Sequence, residues 1–166
     1  MTLDVGVQVA CEEWRIIADP QDFAERVIGA ALRAAELKPA RGAEVSLLLC
    51  DDAAIRALNK AWRGQDKATN VLSFPSAPAG RGTAAPMLGD VVIAFETTRR
   101  EAADEMKTFA DHAAHLLAHG FLHLIGYDHA SVAEAEEMEA MERKILSRLG
   151  IDDPYRVPAP RKAARR

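Results

Sequence analysis

The sequence predicts an α+β protein: a small mixed four-stranded sheet covered by helices, with its elements in an α/β-type order. Three observations lead there. Apolar residues alternate or cluster in four short stretches. Between and after these stretches, apolar residues recur at helical spacing. The 166-residue chain is long enough for one packed core and short for two.

Val5, Val7 and Val9 alternate with Gly6, Gln8 and Ala10 and form the first strand. Asp19 or Pro20 opens a helix whose apolar face is Phe23, Val27, Ile28, Ala31, Leu32 and Ala35, with Pro39 stopping it. Glu44 to Cys50 (EVSLLLC) is a buried strand. Asp51 and Asp52 favour the next helix start, Ile55, Leu58 and Trp62 form its buried stripe, and Gly64 ends it. Thr69 to Phe74 (TNVLSF) is a third strand, stopped by Pro75. Ser76 to Pro86, rich in Pro, Gly and Ala, is a loop or hairpin tip. Leu88 to Glu96 (LGDVVIAFE) is the fourth strand. One long helix is expected from about Glu101 to Ile125. The last begins with the capping box Ser131 and Glu134, carries the stripe Ala135, Met138, Met141, Ile145 and Leu149, and closes at Gly150. No internal repeat occurs. A single domain is expected over 1–153, followed by a flexible basic tail over 154–166.

With 49% apolar and 28% charged residues, the composition is that of a globular chain. The net charge is −4, but the tail holds Arg156, Arg161, Lys162, Arg165 and Arg166 and no acid, so the rest carries −9. Such a body binds a polyanion only through local basic patches. Cys11 and Cys50 lie outside any metal-type spacing and read as two buried thiols in a reducing compartment. Neither a signal peptide nor a membrane-length apolar run is seen, and a cytoplasmic protein is expected.

The chemistry concentrates in HGFLHLIGYDH, His119 to His129. On a helix, positions four apart lie about 40° apart around the axis and roughly 6 Å along it, so His119 and His123 can face one ion. Gly126 can end the helix with a positive φ and let His129 swing in. Three neutral imidazoles leave a fourth tetrahedral position open, as catalytic zinc sites do. His115, one turn before His119, is read as packing or hydrogen bonding near the site and stays out of the ligand set, as does His112. Asp128 either orients a ligand imidazole or shapes the turn. Helical zinc peptidases use H-E-x-x-H, but Gly120 stands where their Glu would be. Gly120 leaves room either for substrate or for close helix packing.

This block resembles the signature of the YbeY family, bacterial metal-dependent endoribonucleases of ribosomal RNA maturation. Asn59, Arg63 and TNVLSFP (Thr69 to Pro75) agree with it, as does GDVVI (Gly89 to Ile93). The resemblance runs from about Val5 to Leu149. Trp62 stands where Tyr is usual, and Ala68 where Pro is usual. The resemblance implies a single-domain, zincin-like metal hydrolase with one zinc ion per chain held by His119, His123 and His129. It also implies Arg63 as the basic residue of the active-site cleft. The expected activity is single-strand-type endoribonuclease cleavage in 16S ribosomal RNA 3′-end maturation and ribosome quality control. Ribosomal RNA and the small ribosomal subunit are the expected partners, with no membrane and no DNA.

Zinc-assisted phosphodiester hydrolysis is the expected chemistry, with Arg63 bonding the phosphate. Lys60 and Lys67 either extend a phosphate patch or are simply solvated, and Asp90 is equally open. The residues name no general acid and do not choose between water and the RNA 2′-hydroxyl as nucleophile. A zinc hydrolase of another substrate, or a non-enzymatic zinc-containing assembly factor, remains an alternative.

Overall fold

A computed structural model describes residues 3–76 and 86–156. Most of the Ser76–Pro86 loop and nearly all of the basic tail therefore lie outside the described residues. Four strands, β1 (Asp4–Val9), β2 (Glu44–Cys50), β3 (Val71–Pro75) and β4 (Met87–Ala94), form one sheet in the order β1-β2-β4-β3. β1, β2 and β4 run parallel, and β3 pairs antiparallel with β4 at the edge. The helices are α1 (Pro20–Ala35), α2 (Asp52–Arg63), α3 (Phe95–Asp104), α4 (Phe109–Leu124) and α5 (Val132–Arg148). The expected α+β class with a mixed four-stranded sheet is what forms.

Alternation along the strands divides the sheet into two faces. Val45, Leu47, Leu49, Val91 and Ile93 face the main core with α1, α4 and α5. Cys50, Leu72, Val92 and Ala94 face a smaller cluster closed by Ile55 of α2. α4 is the central helix, packed against β3, β4, α1, α3 and α5. That placement explains why its side chains are apolar nearly all round, apart from its histidines.

Helix starts follow the predicted signals. Asp19 Oδ1 accepts from Asp22 N at 3.0 Å, and Asp51 Oδ1 from Ala54 N at 2.8 Å. Ser131 and Glu134 form the predicted capping box.

The single helix expected over residues 101–125 is two helices. α3 begins at Phe95, on residues read as the end of a strand. Phe95 packs edge-on against Trp14, with ring centroids 5.8 Å apart, so burial and not period decides its state. Asp52 accepts from Thr97 N at 3.1 Å and Glu96 accepts from Asp52 N at 2.8 Å, so α2 and α3 cap each other. The break falls at Met106, with φ 57°, and Thr108 then caps α4 by accepting from Asp111 N at 3.1 Å. A 3₁₀ turn, Glu12–Ile16, was also unforeseen; it carries Trp14 into the core, where its Nε1 donates to Cys50 O at 2.8 Å. Of the two thiols read as buried, only Cys50 is; Cys11 is partly exposed. Trp62, read as part of the buried stripe of α2, is also exposed, because it lies at the end of the helix, where Phe74 is its one aromatic neighbour among the described residues.

Candidate metal centre

His119 and His123 project from the last turns of α4, and Gly126 stops the helix with φ 103°. Tyr127 N then bonds back to Leu122 O at 2.9 Å, and the chain reverses to deliver His129. Asp128 Oδ1 accepts from His129 N at 2.8 Å, so Asp128 shapes the turn. The acceptor that orients His123 is instead the Tyr127 carbonyl, 3.0 Å from Nδ1.

One ligand atom from each of His119, His123 and His129 lies within 4.8 Å of the other two. The three predicted ligands are thus brought together. His119 Nδ1 faces Glu142 Oε2 at 2.7 Å, an acceptor only, so this nitrogen carries the proton. His123 Nδ1 donates likewise to its carbonyl. In the neutral form of each ring the lone pair then sits on Nε2, and the two Nε2 atoms face each other at 3.2 Å. Two such lone pairs repel at that distance unless a proton or a metal ion sits between them. Nitrogens on a tetrahedral zinc at ~2.05 Å are themselves roughly 3.3 Å apart. The donor set fits a zinc-sized ion. Burial, helped by the neighbouring His119 and His129, also pushes the His123 pKa below its ordinary value, which favours the neutral, ligating form.

Glu142 was missed by sequence reasoning. It is 1% exposed and sits in the buried stripe of α5 with Met138, Ile145 and Leu146. Its spacing from Met138 and Ile145 was a usable signal: a carboxylate at a core position needs partners. It accepts from His115 Nε2 at 2.6 Å, from His119, and from the Tyr155 hydroxyl. Burial alone would raise its pKa, but these hydrogen bonds overcome it and hold the carboxyl down to about 2. His115 Nε2 is accordingly engaged by Glu142, and His115 is not part of the three-histidine group. His112 bonds Glu101 at 2.8 Å, and Asn70 Nδ2 donates to the same carboxylate at 3.0 Å. Asn70 thereby ties β3 to α3 and α4.

Arg63 ends α2, where Gly64 adopts φ 69°. Its Nη2 donates to Ser73 O at 2.9 Å, and its guanidinium lies 5.7 Å from the Phe74 ring centre. Ser73 Oγ donates to Gly120 O at 2.9 Å. Arg63 is thus joined through Ser73 to the backbone next to His119. Gly120 serves helix packing: a Cβ there would meet Val91 Cγ1 at 2.7 Å and Ser73 Oγ at 3.1 Å. The sheet leaves no room for the peptidase Glu. Asn59 is buried and donates to Lys67 O at 2.9 Å, a structural bond. Lys60 and Lys67 are exposed. Asp90 lies on the α2 face of the sheet, away from the histidines, beside a groove of about 670 Å³ lined also by Trp62, Phe74 and Val92.

The fold and site together define an α+β protein with a three-histidine group able to hold a metal ion. The family model for endoribonuclease YbeY matches residues 8–150. The endoribonuclease YbeY of Methylocella silvestris is 55% identical over 154 residues, covering 93% of this chain and 86% of the relative. That of Rhizobium meliloti strain 1021 is 54% identical over 159 residues, covering 92% and 95%. This chain belongs to the YbeY endoribonuclease family. The solution structure of TM1509 from Thermotoga maritima shares the fold, with TM-score 0.56 and 19% identity over 95% of this chain and 99% of that one. Among the described residues, no helix is long and apolar enough to cross a membrane.

Proposed function

We propose that this protein is a zinc-dependent endoribonuclease that matures the 3′ end of 16S ribosomal RNA and acts in ribosome quality control. Family membership supports the activity. One observation carries its assignment to these residues: the ligand atoms of His119, His123 and His129 converge within 4.8 Å, and Ser73 links Arg63 to the α4 backbone at Gly120, the residue after His119. His119, His123 and His129 would hold one zinc ion per chain. When bound, the ion supplies Lewis-acid polarisation of an oxygen at the scissile phosphate.

The protein's own groups do the rest. Glu142 and the Tyr127 carbonyl keep the protons of His119 and His123 on Nδ1. Arg63 has five N–H donors and commits one to Ser73 O, leaving others for a phosphoryl oxygen. That contact stabilises the negative charge that grows on the phosphate as the bond breaks. The small ribosomal subunit is the proposed setting, in the cytoplasm.

The test uses purified, zinc-loaded protein on a 16S 3′-end RNA and, in parallel, on a peptide library. His119→Ala is expected to lose both zinc and RNA cleavage. Arg63→Ala is expected to keep zinc and lose about 10²- to 10³-fold in kcat. Stoichiometric zinc with intact RNA would overturn the nuclease reading. Cleaved peptides would favour a different hydrolase, and maturation in cells that survives Arg63→Ala would favour a non-enzymatic assembly role.

A further inference from the structure

Glu142 is an ionisable group buried among apolar side chains where a leucine would pack without the cost of desolvating a charge. Packing alone does not account for it. Its three donors come from two places. His115 and His119 are one turn apart on α4, and Tyr155 lies beyond the end of α5.

The segment carrying Tyr155 is fastened to the body at several points. Arg143 Nε donates to Asp153 Oδ1 at 3.2 Å, and Tyr155 N donates to the same oxygen at 2.8 Å. The Arg143 guanidinium lies 5.3 Å from the Tyr155 ring centre. On the other side, that ring stands edge-on to His115, with centroids 5.5 Å apart. Among the described residues His115 has no partner at its buried Nδ1, and its Nε2 is held by Glu142 at 2.6 Å and more loosely by the Tyr155 hydroxyl at 3.3 Å. Residues read from the sequence as the start of a free tail thus reach the second layer around the histidines.

Of the three donors, only His119 also faces the proposed ion. We propose that Glu142, clamped by Tyr155 and His115, is a positioning residue for His119, so that metal retention depends on the docked segment after α5. Glu142 holds the His119 proton on Nδ1, aims Nε2 at the ion and raises the basicity of the ring. Tyr155 and His115 hold the carboxylate in the one orientation that does this. The inference rests on the zinc reading of the three histidines.

The experiment is a zinc titration of the full chain against a chromophoric chelator, with a thermal melt of each chelator-treated variant beside it. Glu142→Gln keeps the shape and removes the charge, and His115 can adapt through its free Nδ1. It is expected to weaken zinc retention about 10- to 100-fold. Tyr155→Phe keeps the ring on His115 and Arg143, and is expected to weaken zinc in the same direction by a smaller factor. A merely structural role would lower the metal-free melting temperature and leave zinc affinity as in the wild type; that result overturns the inference. Should Glu142→Gln fail to fold, Tyr155→Phe decides. Wild-type protein that holds no zinc would overturn the three-histidine reading and this inference with it. Wild-type protein that holds zinc as its variants do would overturn the positioning role alone.

Discussion

Arg63, the proposed phosphate contact, is also anchored: one N–H holds Ser73 O, and the planar guanidinium carries further donors in a fixed fork. Lysine carries the same charge but is a single point and cannot hold the strand edge and a phosphate together. Arg63→Lys is therefore expected to cut kcat by about 10-fold or more with zinc content unchanged, as measured by single-turnover cleavage and metal analysis. The cysteines allow a second prediction. Burial, the Glu13 hydrogen bond and that carboxylate's charge push the Cys11 thiol up to about 11, and burial pushes Cys50 up to about 12. At pH 8 roughly one Cys11 in a thousand is the reactive thiolate. Iodoacetamide should label both slowly in the native protein and fast after unfolding. Native Cys11 reacting at the rate of a free thiol would contradict this. The convergence of His119, His123 and His129 was legible because their spacing is local: a four-residue helical step and a Gly stop. Glu142 and Tyr155 were not, because their bonds to His115 span 27 and 40 residues.

α4 meets two different neighbours. On the sheet side, Gly120 lets it approach β3 and β4. Gly120→Ala is expected to cost about 1–3 kcal/mol, since Val91 and Ser73 must move, and to weaken metal binding by shifting His119. Chemical denaturation and zinc titration would both register it. On the other side, the α4–α5 contact closes over Glu142. With its pKa held down to about 2 against an ordinary 4.5, that carboxylate contributes stability that is fully present above about pH 4.5 and lost as pH falls toward 2. Glu142→Gln should flatten the stability profile across that window, and an unchanged slope in acid melts would count against the clamp. The missed break between α3 and α4 has a simple source. Neither Gly nor Pro marks it; Met106 takes a left-handed backbone, and only the Thr108 cap was there to be read.

Across the whole molecule, the class of fold followed from the order of elements, but the strand order did not. That β4 enters between β2 and β3 depends on which faces bury together, which no single segment states. The main core is built from α1, α4, α5 and the sheet, and none of the three converging histidines is fully buried. Chelation is thus expected to leave helical circular dichroism intact. Zinc at about 100 times its Kd should add ~2.7 kcal/mol, raising Tm by roughly 5–10 °C in differential scanning calorimetry. Unfolding on chelation alone would mean that the ion is part of the core.

The protein holds two tryptophans at opposite extremes: Trp14 is 0% exposed and Trp62 is 72% exposed, one residue before Arg63. This makes a built-in optical pair. Trp14 should emit toward the blue and resist iodide, reporting only on unfolding. Trp62 should emit toward the red and be readily quenched, because its indole stands open beside the arginine. A strand of RNA landing on Arg63 would shelter Trp62 and leave Trp14 unchanged. Occupancy of the site and integrity of the fold can thus be followed in one cuvette, without a label.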